Sequence, residues 1–140
     1  MKVGLFPMVA DILHAGHILA IKEAKEHCDY LIIALHCNPI YKTPVQSVYE
    51  RYIQLDAVKY VDKVIPYNDK KDIATLISSL DYDIYFLGSD HKGEDFECKE
   101  LLEYLGVELY YLKRNHVLSS SDLKNRVIKQ NENIAKSNCS

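Results

Sequence analysis

Residues 2–17, Lys2-Val3-Gly4-Leu5-Phe6-Pro7-Met8-Val9-Ala10-Asp11-Ile12-Leu13-His14-Ala15-Gly16-His17, run from a nearly continuous apolar stretch through a short turn into the start of a helix. Positions 2–8 read as a strand covered on both faces, because neither face alternates to polar residues. Beyond the turn, Ala20, Ala24 and Cys28 recur at four-residue steps with Ile21 alongside, while Lys22, Glu23, Lys25 and Glu26 lie off that stripe. An amphipathic helix over 15–27 follows. The same alternation continues down the chain, with strands predicted at 30–36, 63–67, 83–87 and 107–112. Helices are predicted at 47–61, 69–80 and 96–105, and a last polar helix opens at Ser120 or Ser121 and fades toward Asn138. Strand and helix in turn, with apolar strands, predict an α/β fold: a Rossmann-like, doubly wound sheet of about five parallel strands. A single domain is expected over 1–133, followed by a polar tail at 134–140.

Composition narrows the function classes. The 140 residues are 48% hydrophobic, enough for one ordinary core. Charged residues make up 26% and nearly balance at a net charge of −3, which argues against a long nucleic-acid footprint or an anionic-membrane surface. Any anion site is therefore local. No apolar run is long enough to span a membrane, and Asp11 interrupts the opening one, so a soluble protein is expected. Cys28, Cys37, Cys98 and Cys139 show no paired spacing, as expected of reduced thiols in a cytoplasm.

In an open parallel sheet ligands bind beyond the carboxyl ends of the strands, so the strand-to-helix turns are where chemistry is sought. His14 and His17 are three residues apart, hence neighbours on the first turn of a helix. The helix start favours a phosphate through its N–H groups and dipole, and Gly16 lets a nucleotide lie against the backbone. Two imidazoles there can donate hydrogen bonds to an α-phosphate under attack, which is the charge stabilisation that phosphoryl-type transfer requires. An isolated HxGH string is short, and a histidine at a helix start is often only a cap. Here, however, other turns supply Lys42 and Arg51, then Gly88-Ser89-Asp90, then Arg114 and Ser119-Ser120-Ser121.

The stretch Asp11-Ile12-Leu13-His14-Ala15-Gly16-His17 resembles the HxGH signature of the cytidylyltransferase family of nucleotidyltransferases. The likeness covers nearly all of 1–133. Tyr49-Glu50-Arg51, and Lys59-Tyr60-Val61-Asp62-Lys63-Val64-Ile65-Pro66 after it, are similar to that family's approach to its third strand. The segment 114–121 resembles its second signature, RTEGISTT, in Arg114, Ser119 and Ser120. Met8 and Val117 stand where the family usually has glycine, and the loop after the second strand keeps Lys42 as its main cation.

The resemblance implies a cytidylyltransferase that moves CMP from CTP to a small phosphorylated alcohol, glycerol 3-phosphate foremost, releasing pyrophosphate and forming a CDP-alcohol. It assigns His14, His17, Lys42 and Arg114 to catalysis. It assigns Val9, Ala10, Asp11, Gly16, Arg51, Gly88, Asp90, Ser119 and Ser120 to the nucleotide or acceptor. Mg²⁺ would be held mainly by the nucleotide phosphates, with Asp11 as an outer partner and no metal site made by the protein alone. A homodimer is implied as well. An adenylyltransferase using ATP and a non-catalytic nucleotide-binding module stay open, and a metal-dependent hydrolase needs a third protein ligand near the two histidines. His27 reads as a favourable charge at a helix end, and the tyrosines as half-buried strand residues. His36, Cys37 and Asn38, at the end of the second strand, read as contact positions or as ordinary strand-end residues.

Overall fold

The computed structural model describes residues 1–88, 98–113 and 120–138. Among them the order is β1 (Val3–Met8), α1 (Ala15–Glu26), β2 (Tyr30–His36), α2 (Val48–Asp56), β3 (Lys63–Tyr67), α3 (Lys70–Ser79), β4 (Ile84–Leu87), α4 (Lys99–Leu105), β5 (Glu108–Tyr111) and α5 (Ser120–Asn138). The strands pair in parallel as one sheet in the order β3-β2-β1-β4-β5. Chain order reverses beside β1, between the β2 and β4 sides, which makes the carboxyl end of β1 the topological switch point.

The apolar strands are explained by burial on two faces. Phe6, Leu31, Ile33, Leu35, Ile84 and Phe86 pack with Ala20, Ile21 and Ala24 of α1 and Leu55 of α2. Their strand neighbours Leu5, Ile32, Ala34, Tyr85 and Leu87 point the other way, onto Ile73 and Ile77 of α3 and Leu102 of α4. Alternate side chains thus serve alternate cores. Gly4 is required by this packing, since a Cβ there would stand 2.5 Å from Phe86 Cε2. At the amino ends, an aspartate preceding each of three strands accepts an N–H at the start of a neighbouring strand: Asp29 from Lys2, just before β1, at 2.7 Å, Asp62 from Leu31 at 2.8 Å and Asp83 from Val3 at 2.8 Å. These bonds close main-chain donors that a parallel sheet otherwise leaves open at its edge.

The two sides of β1 are unequal at the carboxyl end. Its register with β2 continues to Met8↔Leu35, whereas that with β4 ends at Leu5↔Tyr85. Pro7, which has no N–H to give, lies in the part of β1 that has left β4.

Two helix boundaries differ from the sequence reading: α4, expected from 96, opens at Lys99, and α2 ends early. The helix expected over 47–61 stops at Asp56, and residues 57–62 fold as turns that set Val58, Tyr60 and Val61 against the core. The apolar spacing there reflects packing rather than continued helix. α5 runs from Ser120 to Asn138, the span over which the sequence predicts a last polar helix. Among the described residues no helix is long and apolar enough to cross a membrane.

Candidate active site

At the carboxyl end of β1 the backbone enters an unusual turn: Ala10 and Ile12 have φ of 56° and 52°, on either side of Asp11. Left-handed φ is disfavoured for alanine and more so for a β-branched isoleucine, at about 1–3 kcal/mol each, so surrounding bonds must hold the turn. Those bonds come from the entry to α2. Gln46 Oε1 accepts the Ile12 N–H at 2.8 Å, while Asp11 accepts the N–H groups of Val45 at 2.9 Å and Gln46 at 3.0 Å. Asp11 is only 2% exposed and also takes the Lys124 ammonium of α5 at 3.0 Å.

The two histidines follow directly. His14 is the N-cap of α1, its Nδ1 accepting the Gly16 N–H at 3.0 Å, and His17 Nδ1 accepts the His14 N–H at 3.2 Å. This is a capping box built from imidazoles in place of the usual hydroxyl and carboxylate. Because each Nδ1 accepts, the neutral ring carries its proton on Nε2, so both present an N–H donor from that second nitrogen. The rings lie 4.3 Å apart between centroids. Two donors this close can converge on one anionic oxygen cluster. Gly16 is buried in that first turn and its N–H turns inward to His14.

Arg51 lies in the interior. Read from sequence as a triphosphate contact, it is 1% exposed. Its guanidinium donates to the carbonyls of Gln46 (3.2 Å), Val9 (3.0 Å), His36 (2.8 Å) and Cys37 (2.7 Å). Four of five N–H groups are thereby committed to main-chain oxygens. Arg51 ties the ends of β1 and β2 to the α2 entry. Asp11 likewise has both oxygens engaged inside the fold, where it joins the first turn to the α2 entry and to α5. Val9 and Ala10 bury their side chains, leaving backbone as what that turn can offer a ligand.

Lys42 is exposed on the β2–α2 loop, 5.9 Å from the centroid of the Tyr41 ring. Tyr41 in turn meets His36 edge-on, and His36 stacks on Tyr67, its register partner in β3, at 4.7 Å. This row carries Lys42 along the carboxyl side of the sheet. Gly88 follows β4 at the same edge. Ser120 opens α5, while Asp90, Arg114 and Ser119 lie outside the described residues. His27 caps the C-terminus of α1 with its ring 4.1 Å from that of Tyr110. Among the described residues no group of three His, Cys, Asp or Glu side chains gathers as a metal site. Sequence reasoning missed Gln46 and Lys124. The Ser47 and Glu50 capping box beside Gln46 was a readable signal for a fixed loop there, but nothing local marks Lys124.

The carboxylates of this network respond to acid. Asp11 and Asp62 hold their carboxyls below the ordinary 3.8. In both, burial pushes upward and is outweighed, by the Val45 and Gln46 N–H groups with Lys124 in one case and by Lys25 with the Leu31 N–H in the other. A depressed carboxyl contributes its full stability above its unfolded pKa and loses it as pH falls toward the folded value. Stability is therefore expected to decline below about pH 4, and Asp11→Asn to flatten that decline. Urea midpoints taken from about pH 6 down to about pH 3 measure both slopes, and equal slopes would remove Asp11 from the response.

Comparison with known proteins bears on the same residues. Residues 5–131 match the family model described as cytidylyltransferase-like. The chain is 32% identical over 121 residues to the glycerol-3-phosphate cytidylyltransferase of Staphylococcus aureus, covering 81% of this chain and 86% of that protein. It is also 32% identical over 131 residues to the FAD synthase of Pyrococcus abyssi, covering 87% and 86% respectively. Among solved structures, a lipopolysaccharide core biosynthesis protein from Thermoplasma volcanium superposes with a TM-score of 0.70 at 27% identity, covering 83% of this chain and 99% of that one.

Proposed function

This chain belongs to the cytidylyltransferase-like family, and from that premise we propose that it transfers CMP from CTP to a small phosphorylated alcohol, glycerol 3-phosphate foremost. The observation that carries the reading is the pair of imidazoles, each locked by its Nδ1 so that Nε2–H is the donor it presents. A phosphate oxygen of the acceptor attacks the α-phosphorus, forming the new P–O bond. The bond to the bridging oxygen breaks and pyrophosphate leaves with the electron pair. His14 and His17 stabilise the charge that gathers on the α-phosphate oxygens in between. Lys42 neutralises the departing pyrophosphate, together with Arg114, Ser119 and Ser120 by resemblance to the second signature. By the same resemblance Gly88 and Asp90 are assigned to the nucleotide or acceptor.

Mg²⁺ fits this site only as a companion of the nucleotide, because Asp11 is already engaged and the ion keeps phosphate and water ligands readily. When bound, it would neutralise phosphate charge. A homodimer and a cytoplasmic location belong to the same proposal. Exposed Ile40, Tyr41, Val45 and Tyr49 support self-association along the β2–α2 loop and the first turn of α2.

Adenylyl transfer is the second reading, favoured by the likeness to FAD synthase. Pyrophosphate release separates the two: CTP and ATP are supplied singly with Mg²⁺, each against glycerol 3-phosphate, ethanolamine phosphate and a flavin phosphate. Release from CTP with a polyol phosphate is expected. Release from ATP alone would transfer the assignment to the second reading.

A further inference from the structure

A single carboxylate joins three separate segments. Asp11 Oδ1 accepts the N–H of Gln46, and its Oδ2 accepts both the N–H of Val45 and the ammonium of Lys124. The first two bonds reach across 35 and 34 residues to the α2 entry, and the third reaches across 113 residues to α5. Asp11 itself lies between the two left-handed residues of the turn that leads into His14 and His17.

α5 needs such an anchor. Of its described side chains, only Leu123 and Lys124 are half-buried, and those from 125 to 136 are exposed. A 19-residue helix whose covered side chains lie near its start is held at that end. The Lys124 side chain keeps 36% exposure while that of Asp11 keeps 1%. The lysine thus reaches from solvent to a carboxylate that is already fixed by two N–H groups, and it gives up little hydration to do so.

We propose that Lys124 is a positioning residue that latches α5, with Ser120 at its start, onto the paired-histidine turn through Asp11, so that α5 docking and nucleotide binding are coupled. The proposal rests on the nucleotidyl-transfer reading for its kinetic consequence, but the docking itself does not depend on that reading. Lys124 touches no reacting atom in this scheme. Its effect is to hold the helix start at Ser120, where the second signature ends, in place relative to His14 and His17. Undocking loosens the nucleotide site and leaves the two imidazole donors in place, since their cap bonds are internal to residues 14–17.

The test compares wild type with Lys124→Met and Lys124→Arg. Hydrogen–deuterium exchange of peptides from 120–138 reads docking directly, and initial rates with CTP and glycerol 3-phosphate separate KM from kcat. Lys124→Met is expected to speed exchange in α5 and raise the KM for CTP about tenfold with kcat within about threefold, and Lys124→Arg to restore most of both. In the Asp11→Asn background, Lys124→Met should add less than about twofold to KM, because the shared bond is already weakened. Unchanged α5 exchange in Lys124→Met overturns the latch. A fall in kcat at constant KM overturns it too, by making Lys124 part of the chemistry. If the wild-type protein releases no pyrophosphate from either nucleotide, the proposed function fails, and α5 exchange still decides the docking.

Discussion

His14→Asn and His17→Gln are expected to fold like the wild type and to lose about 10²–10³-fold in turnover each, the usual cost of removing one transition-state donor. These substitutions separate two roles that alanine confounds. His14 and His17 both donate in the proposed chemistry, and both also cap α1, with Nδ1 accepting from Gly16 and His14 respectively. Alanine would remove the cap as well, at about 1 kcal/mol. Asparagine is among the best N-cap residues, and glutamine at the third helical position completes a capping box, so the helix start survives without an imidazole. Nucleotide affinity should fall much less than turnover, because the donors matter most when charge accumulates on the α-phosphate. Pyrophosphate release with CTP gives the turnover, and thermal melting checks the fold. Wild-type turnover in either variant would end the donor role of that ring.

Arg51→Met is expected to produce the largest loss of stability, roughly 3–5 kcal/mol, as when one member of a buried polar network is removed. Methionine fills much of the space, so the loss is not mainly a cavity. The carbonyls of Val9, His36, Cys37 and Gln46 lose their donor in a place where water has little access. For a chain of this size the melting temperature should fall by roughly 10–15 °C. Arg51→Lys should recover less than half of that, since an ammonium cannot span four carbonyls with the planar reach of a guanidinium. A loss below about 1 kcal/mol in urea unfolding would mean that those carbonyls are satisfied without Arg51.

The fold was largely legible because its signals are local. The predicted bounds of β2 and β3 are those seen, and in β2 burial on both faces interrupts the polar sequence sharply. The end of α2 was less legible. Val58, Tyr60 and Val61 carry an apolar spacing that suits a helix, yet they pack from turns. The paired histidines were legible as a site because three-residue spacing on a helix start has one geometric meaning. The role of Arg51 was not, for a conspicuous arginine near a phosphate site reads the same whether it faces solvent or the interior.

What the sequence by itself determined is therefore the set of features whose cause lies within a few residues: parallel strands from unbroken apolar runs, helix starts from their caps, and two imidazoles brought side by side. Only the tertiary structure decided which polar groups became internal struts. Asp11 meets partners 34, 35 and 113 residues away, and Arg51 reaches Val9 across 42. Such meetings depend on how the strands are ordered in the sheet, and that order is set by packing the whole chain at once. The strained turn at Ala10 and Ile12 belongs with them, because neither residue favours left-handed backbone and the distant clamp from Val45 and Gln46 holds it there.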